Sequence, residues 1–514
     1  MSSNAHCTVT SLDLSCNFIE DRGINPLSST MAKLSKGMHH LNLSYCSLTG
    51  KGVGNLMQAL TNNRSCATTL TYLNLCGNSM REDSCCHNLC TFLAQPNVVA
   101  ILDISSTETP LDMLFGALLR GCTTALTHLN LSRNPFSLQT KRSKDKDSIP
   151  SAFKQFFAST LALKYINVSF GKLPSEALKN LLLGLACNEA LSNVELNLSN
   201  NQLGAHGGAT VLESCIGGVK CVSRLDLSEN QIGNLMILFQ ICSRGEKNAC
   251  RNTISFLYFL FITENDMSGV INGISRNKSV ISLNLSRNMT NVKTKHFPPI
   301  TEAIVQLLQD EETAVQKLNL SDCKLKTELG NVINALGSNQ CLQHLDISGN
   351  MMGDSGARLL AKALQINTRL RTINLDRNQI SLQGYTDITY ALNSNYAMRH
   401  IPFPTFDLQS AIKTQPDRVD AIIHRMQELL QRNSSPQRFR NSAQAFRLTQ
   451  GFVMSSTQQV IDKVAASAQD NIDAMKKVRN DREPSTDGTL EQVSKNFLGK
   501  GGYAVIPLKN ITNS

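Results

Sequence analysis

The sequence predicts an α/β fold, a leucine-rich-repeat solenoid of the ribonuclease-inhibitor horseshoe type, followed by an all-α helical domain. Three observations predict it. The pattern L-x-x-L-x-L-x-x-N recurs about every 28 residues from the first ten positions to roughly residue 403. Each unit joins a two-residue apolar alternation to a 3.6-residue one, and beyond residue 403 only the helical period continues.

The units register on one slot. Asparagine fills it at Asn17, Asn78, Asn134, Asn201, Asn230, Asn288, Asn350 and Asn378, and Cys46, Thr107, Gly171 and Cys323 take it in the remaining four of twelve units. Ahead of the slot, Leu345 and Ile347 around Asp346 form a short strand with one buried face. Behind it, Ala357, Leu360, Ala361 and Leu364 stand at i, i+3, i+4 and i+7, an apolar stripe down one side of a helix, and Val53, Leu56, Met57 and Leu60 repeat it. Neither half buries its face alone, so successive units must stack.

One interval breaks the register. Asn230 and Asn288 lie 58 residues apart, and a middle unit ending at Asn265 would divide them into 35 and 23, the latter too short for this class. Residues 234–263 therefore read as an insertion within the 1–403 solenoid, ending in the apolar run Ile254-Ser-Phe-Leu-Tyr-Phe-Leu-Phe-Ile262. That run is far below the roughly 20 residues of a membrane helix. Its composition, encoded by pyrimidine-rich codons, suggests a translated intron.

The grammar turns helical after Pro402 and Pro404. Pro416 and Asp417 open a helix with an acidic first turn, and Val419, Ile422, Ile423, Met426, Leu429 and Leu430 form its stripe. A second helical stretch, about 442–479, places Phe446, Val453, Ile461, Val464, Ala468, Ile472 and Met475 on a seam suited to a cap or a dimer contact. Residues 404–480 are thus read as a helical cap or dimerisation domain and 481–514 as a flexible, polar tail.

Composition restricts the function classes. The opening Met1-Ser2-Ser3-Asn4 lacks the features of a signal peptide, which predicts a cytoplasmic protein. The 16 cysteines are scattered over repeat positions and read as buried thiols of a reducing compartment. Formal glycosylation triplets such as Asn42-Leu-Ser44 fall on the repeat strand, where the consensus generates them. Cys85, Cys86, His87 and Cys90 share a helix without a second ligand pair, a packing signature more than a zinc site. No phosphate loop, nucleophile elbow or cofactor motif is evident, so the chain reads as non-enzymatic, with no metal and no cofactor. A net charge of +10 over 514 residues is too weak a field to indicate nucleic acid. Its densest basic stretch, Lys141 to Asp147, reads as an inserted loop, solvated or facing an acidic partner or anionic lipid.

The expected partner surface is the row between the two core positions of each strand: Asp13, Asn42, Asn74, Asp103, Asn130, Asn167, Asn197, Asp226, Asn284, Asn319, Asp346 and Asn374. Stacked strands put these side chains roughly 4.8 Å apart on a concave wall, where they bond one another or a protein segment.

Several stretches resemble the CARMIL family, the linkers of actin capping protein and class I myosins. They include Val332-Ile-Asn-Ala-Leu-Gly-Ser-Asn339, Leu345-Asp-Ile-Ser-Gly-Asn350, Leu360-Ala-Lys-Ala-Leu-Gln-Ile-Asn367, Pro150 to Phe157 and Leu181 to Asn188. Ala445-Phe-Arg-Leu448 and Ser455 to Asp462 are similar to that family's helical dimerisation domain. The resemblance, over about residues 9–480, implies a cytoplasmic scaffold at the leading edge acting on actin assembly. It also implies capping protein and class I myosin as partners, a homodimer, and at most peripheral membrane contact. The family's N-terminal pleckstrin-homology-like domain, capping-protein-binding segment and proline-rich tract have no counterpart in this sequence, which points to an incomplete gene model or truncated isoform. A Ran-type GTPase activator and a generic repeat binding module are the alternatives. The C-terminal region lacks the acidic tail typical of the first, and an innate-sensor or ribonuclease-inhibitor-like module, binding ligands in its groove, is set apart by the nucleotide-binding domain expected ahead of a sensor's repeats, of which this sequence shows no sign.

Overall fold

A computed structural model describes residues 9–435 apart from 82, 110, 137–148, 205–206, 233–265, 291 and 293–295. Contacts divide the chain into two compact units, Met1–Ser434 and Ser435–Ser514. The basic stretch around Lys144, the insertion 234–263, the seam from Phe446 to Met475 and the tail all lie outside the described residues.

The first unit is a single twelve-stranded parallel sheet in sequence order. Its strands are β1 (Ser11–Asp13), β2 (His40–Asn42), β3 (Tyr72–Asn74), β4 (Ile101–Asp103), β5 (His128–Asn130), β6 (Tyr165–Asn167), β7 (Val194–Asn197), β8 (Val222–Asp226), β9 (Ser282–Asn284), β10 (Lys317–Asn319), β11 (His344–Asp346) and β12 (Thr372–Asn374). The leucine-rich-repeat fold expected from the period is the fold observed. Parallel pairing requires a crossover between strands, and helices such as Gly50–Asn62 and Gly353–Ile366 supply it on one side only. The predicted stripes face inward, since Val53, Leu56, Met57 and Leu60, and likewise Ala357, Leu360, Ala361 and Leu364, are buried against the strand leucines.

The slot asparagines bind one unit to the next. Asn201 is fully buried; its amide donates to the carbonyls of Val168 and Leu198 at 3.0 and 2.9 Å, and its Oδ1 accepts Gly171 N at 3.0 Å and Leu173 N at 3.2 Å. One side chain thereby satisfies main-chain groups of two adjacent repeats, groups that would otherwise be buried without partners. Cys323 keeps only a donor, Sγ to Leu285 O at 3.5 Å, and burial pushes its thiol up to about 12, so it stays protonated. Gly171 contributes no side-chain bond.

A second asparagine ladder runs along the helix ends. Asn339, Asn367, Asn395 and Asn433 each donate to a carbonyl of the preceding unit, as in Asn395 Nδ2 to Leu364 O at 2.6 Å and to Asn367 O at 3.0 Å. Asn433 belongs to the helix Pro416–Ser434, whose Val419, Ile423, Met426, Leu429 and Leu430 are buried against the last repeat. That helix extends the stack by one rung. The strand-side ladder ends likewise at Asp407, whose carboxylate accepts Asn378 N at 3.0 Å, Gln379 N at 2.8 Å and the Tyr385 hydroxyl at 3.1 Å. Burial holds the Asp407 carboxyl above its usual range.

Strands β8 and β9 pair directly, Arg224 opposite Ser282, and Asn230 N donates to Asn288 Oδ1 at 3.0 Å. The 58-position interval between those asparagines thus makes a single step of the sheet.

Candidate partner surface on the open sheet face

Helices cover one face of the sheet, so outward residues on the other face form three rows, two on the strands and one in the turns that follow them. The register lines up the whole predicted row from Asp13 to Asn374, each member opposite the next. In every one of them Oδ1 accepts the backbone N–H two residues on, from Ser15 N to Asp13 at 2.9 Å through Asp376 N to Asn374 at 3.4 Å. This local turn is what Asp and Asn side chains do best, and it accounts for their presence in the row without a partner. Amides also reach across the sheet, Asn42 to Asp13 at 2.9 Å, Asn130 to Asp103 at 2.9 Å and Asn374 to Asp346 at 3.0 Å.

The row two positions earlier varies and was not singled out by the repeat pattern. It reads Ser11, His40, Tyr72, Ile101, His128, Tyr165, Glu195, Arg224, Ser282, Lys317, His344 and Thr372. His40 stacks on Tyr72 at 4.0 Å between centroids, and His128 on Tyr165 at 5.9 Å. Arg224 pairs with Glu195 at 3.0 Å. The tyrosines lean onto their own strands, accepting Asn74 Nδ2 at 3.4 Å and Asn167 Nδ2 at 3.1 Å. Burial, and then the charges of Glu195, Asp103 and Asp226, raise the Tyr165 hydroxyl above its ordinary value. Burial together with Lys317 lowers His344. The signal in the sequence was variability itself: this is the strand position at which the units do not share one residue type.

The third row precedes the ladder slot, and its backbone is left-handed, φ 53° at Tyr45, 59° at Arg133, 57° at Phe170 and 55° at Arg287. Large side chains tolerate this strained region because neighbouring turns hold them there. Arg133 lies over the Phe170 ring, 4.3 Å from its centroid. Farther along, Asn200 donates to Glu229 at 2.8 Å, Arg287 bridges Glu229 at 2.8 Å and Asp322 at 3.2 Å, and Arg377 reaches Asp322 at 2.9 Å. Arg377 spans two repeats because the intervening residue is Gly349, at φ 70°. A Cβ there would overlap the Asp322 carboxylate. Gly349→Ala is expected to cost about 2 kcal/mol, through φ strain and the displaced carboxylate, against under about 1 kcal/mol for Arg377→Ala, which removes an exposed pair only. Urea unfolding of both variants measures the difference.

Among the described residues no group of three His, Cys, Asp or Glu could hold a metal ion. Cys85 and Cys86 are buried in their helix. Burial pushes the thiols of Cys66, Cys122 and Cys221 up to about 11, which makes them poor nucleophiles. The open face carries tyrosine, histidine and arginine side chains on a rigid sheet, and tyrosine and arginine are residue types enriched at protein interfaces.

Comparison with known proteins gives the chain its relatives. A family model described as the CARMIL family, LRR domain, matches residues 1–253 and 246–435. The human protein named "Capping protein, Arp2/3 and myosin-I linker protein 3" is 38% identical over 474 residues, covering 92% of this chain and 32% of that protein. "Protein CARMIL" of Dictyostelium discoideum is 30% identical over 472 residues, covering 90% of this chain and 41% of that protein. A mouse "Capping protein, Arp2/3 and myosin-I linker protein 2" is 33% identical over 405 residues, 78% of this chain and 28% of that protein. The chain spans about a third of the length of these relatives.

Proposed function

The chain belongs to the CARMIL family, and from that premise we propose that it is a non-enzymatic scaffold in the regulation of actin filament assembly, with actin capping protein and class I myosins as partners. The observation that carries the reading is the family match from residue 1 to 435, reinforced by relatives whose names give capping protein, Arp2/3 and myosin-I. The open sheet face serves as its partner surface, and the segment bearing Phe446, Val453, Ile461, Val464, Ala468, Ile472 and Met475 as a homodimer seam. Cytoplasmic placement at the leading edge, with peripheral membrane contact, goes with that role. Among the described residues no helix is long and apolar enough to cross a membrane.

The test immobilises the full chain and titrates purified actin capping protein and a purified class I myosin tail. The expected result is saturable binding of at least one at about micromolar affinity, with light scattering of the free chain giving the dimer mass. Absence of binding by both at tenfold higher concentration would remove the partner assignment while leaving family membership intact.

A further inference from the structure

The charge on the open face is uneven. Across the outward rows of β1–β8, Asp13, Asp103, Glu195, Asp226 and Glu229 stand against Arg133 and Arg224; Glu195 is paired with Arg224 and Glu229 with Arg287 of the next unit, so a modest acidic excess, centred on the aspartates, remains on a chain with net charge +10. The carboxylates are not equally engaged. Asp13, Asp103 and Asp346 each take an amide from the next strand on Oδ2. Asp226 accepts Ser228 N on Oδ1 at 2.9 Å, and among the described residues its Oδ2 takes no side-chain amide. An acceptor oxygen on a rigid strand, pointing to the face that no described helix covers, is suited to a cation from outside.

Spacing then selects the shape of the occupant. From β4 to β8 is four interstrand steps of roughly 4.8 Å, about 19 Å, the length of an extended segment of about six residues at roughly 3.3 Å each. Between the two carboxylates lies Tyr165, whose hydroxyl is influenced by both Asp103 and Asp226. Its ring and Ile101 offer apolar surface for the aliphatic stems of long basic side chains, whose charged heads reach the acids. The protein already seats one of its own guanidinium groups on an aromatic ring in the adjacent row, Arg133 on Phe170.

We propose that the open face of β4–β8 binds an extended basic segment of another protein, with one cation at Asp226 and the chain running from there across Tyr165 towards Ile101. The inference rests on reading this face as a partner surface, and is independent of which proteins the chain links. The electrostatic half makes binding salt-dependent, and the aromatic half fixes the register.

The test uses the full chain and two fluorescent dodecapeptides, alternating arginine–glycine and alternating glutamate–glycine, followed by anisotropy. The arginine peptide is expected to bind and to weaken with added salt, and the glutamate peptide to show no binding. Asp226→Asn should weaken the arginine peptide about fivefold, the loss of one exposed charge pair. Tyr165→Ala should weaken it by a similar factor, while Asp346→Asn, outside β4–β8, should leave it unchanged. Equal losses in Asp226→Asn and Asp346→Asn would show diffuse attraction and overturn the site, as would absence of arginine-peptide binding. Neither peptide involves capping protein or myosin, so failure here leaves the scaffold reading standing, and failure of those partners to bind leaves this one.

Discussion

Replacing Asn201 by alanine is expected to destabilise the repeat unit by about 4 kcal/mol. One carbonyl, Val168 O, loses its donor, Leu198 O is left with the Asn230 amide alone, and two N–H groups, at Gly171 and Leu173, lose their acceptor. All sit where the side chain is fully buried, so water cannot replace the bonds without opening the sheet. Because each repeat packs mainly on its neighbours, the damage is local and the cooperative unit divides there. Urea unfolding should show a lower midpoint and a shallower or two-step transition. Asn201→Cys gives a graded control, since Cys46 at the same slot donates from Sγ to Leu14 O at 3.1 Å. Cysteine should recover the donor half of the loss, and if it is as damaging as alanine the ladder is not what stabilises the stack.

The second large effect is in the helix layer. Phe115→Ala should cost about 4 kcal/mol. Phe115 is 1% exposed and meets Phe153 edge-on at 4.5 Å between centroids, Phe156 at 5.7 Å and Phe157 at 5.6 Å. Phe136 adds an edge contact to Phe153 at 5.5 Å. These rings pack the nine-residue helix Ser151–Ser159, short beside the fourteen of Gly353–Ile366, so aromatic volume fills space that longer helices elsewhere fill with leucine. Phe115→Leu retains most of that volume and should recover more than half the loss in thermal unfolding.

The fold was legible because its requirements repeat. A buried asparagine bonding two units, and leucines closing two faces, must recur at each step, and twelve steps make the pattern unmistakable. The candidate site was legible only in part, for a physical reason. The Asp and Asn row was conspicuous in the sequence because the turn after every strand needs an Oδ1 acceptor, a demand of the backbone and not of a partner. The residues that differ from unit to unit, His40, Tyr72, Tyr165 and Glu195, carry the chemical character of the face, and periodicity is blind to what varies. The helix-end ladder has a signal in the sequence, Asn339, Asn367 and Asn395 at equal spacing, but side chains at a helix end look like caps until their partners in the preceding unit are known. The stripe of Pro416–Ser434 was apparent, but nothing in a stripe says that Asn433 occupies the next rung.

The ladders also have a mechanical consequence. Both run along the stacking direction, so tension applied between the two ends of the repeat unit loads their rungs in series, and a series yields at its weakest link. Most links are clamped by an asparagine with bonds on both sides, whereas Gly171 provides none from a side chain and Cys46 and Cys323 provide a sulfur donor alone. A repeat stack pulled from its ends would therefore part first at seams written into the sequence, and the substitutions that look like lapses in the consensus set where the spring gives.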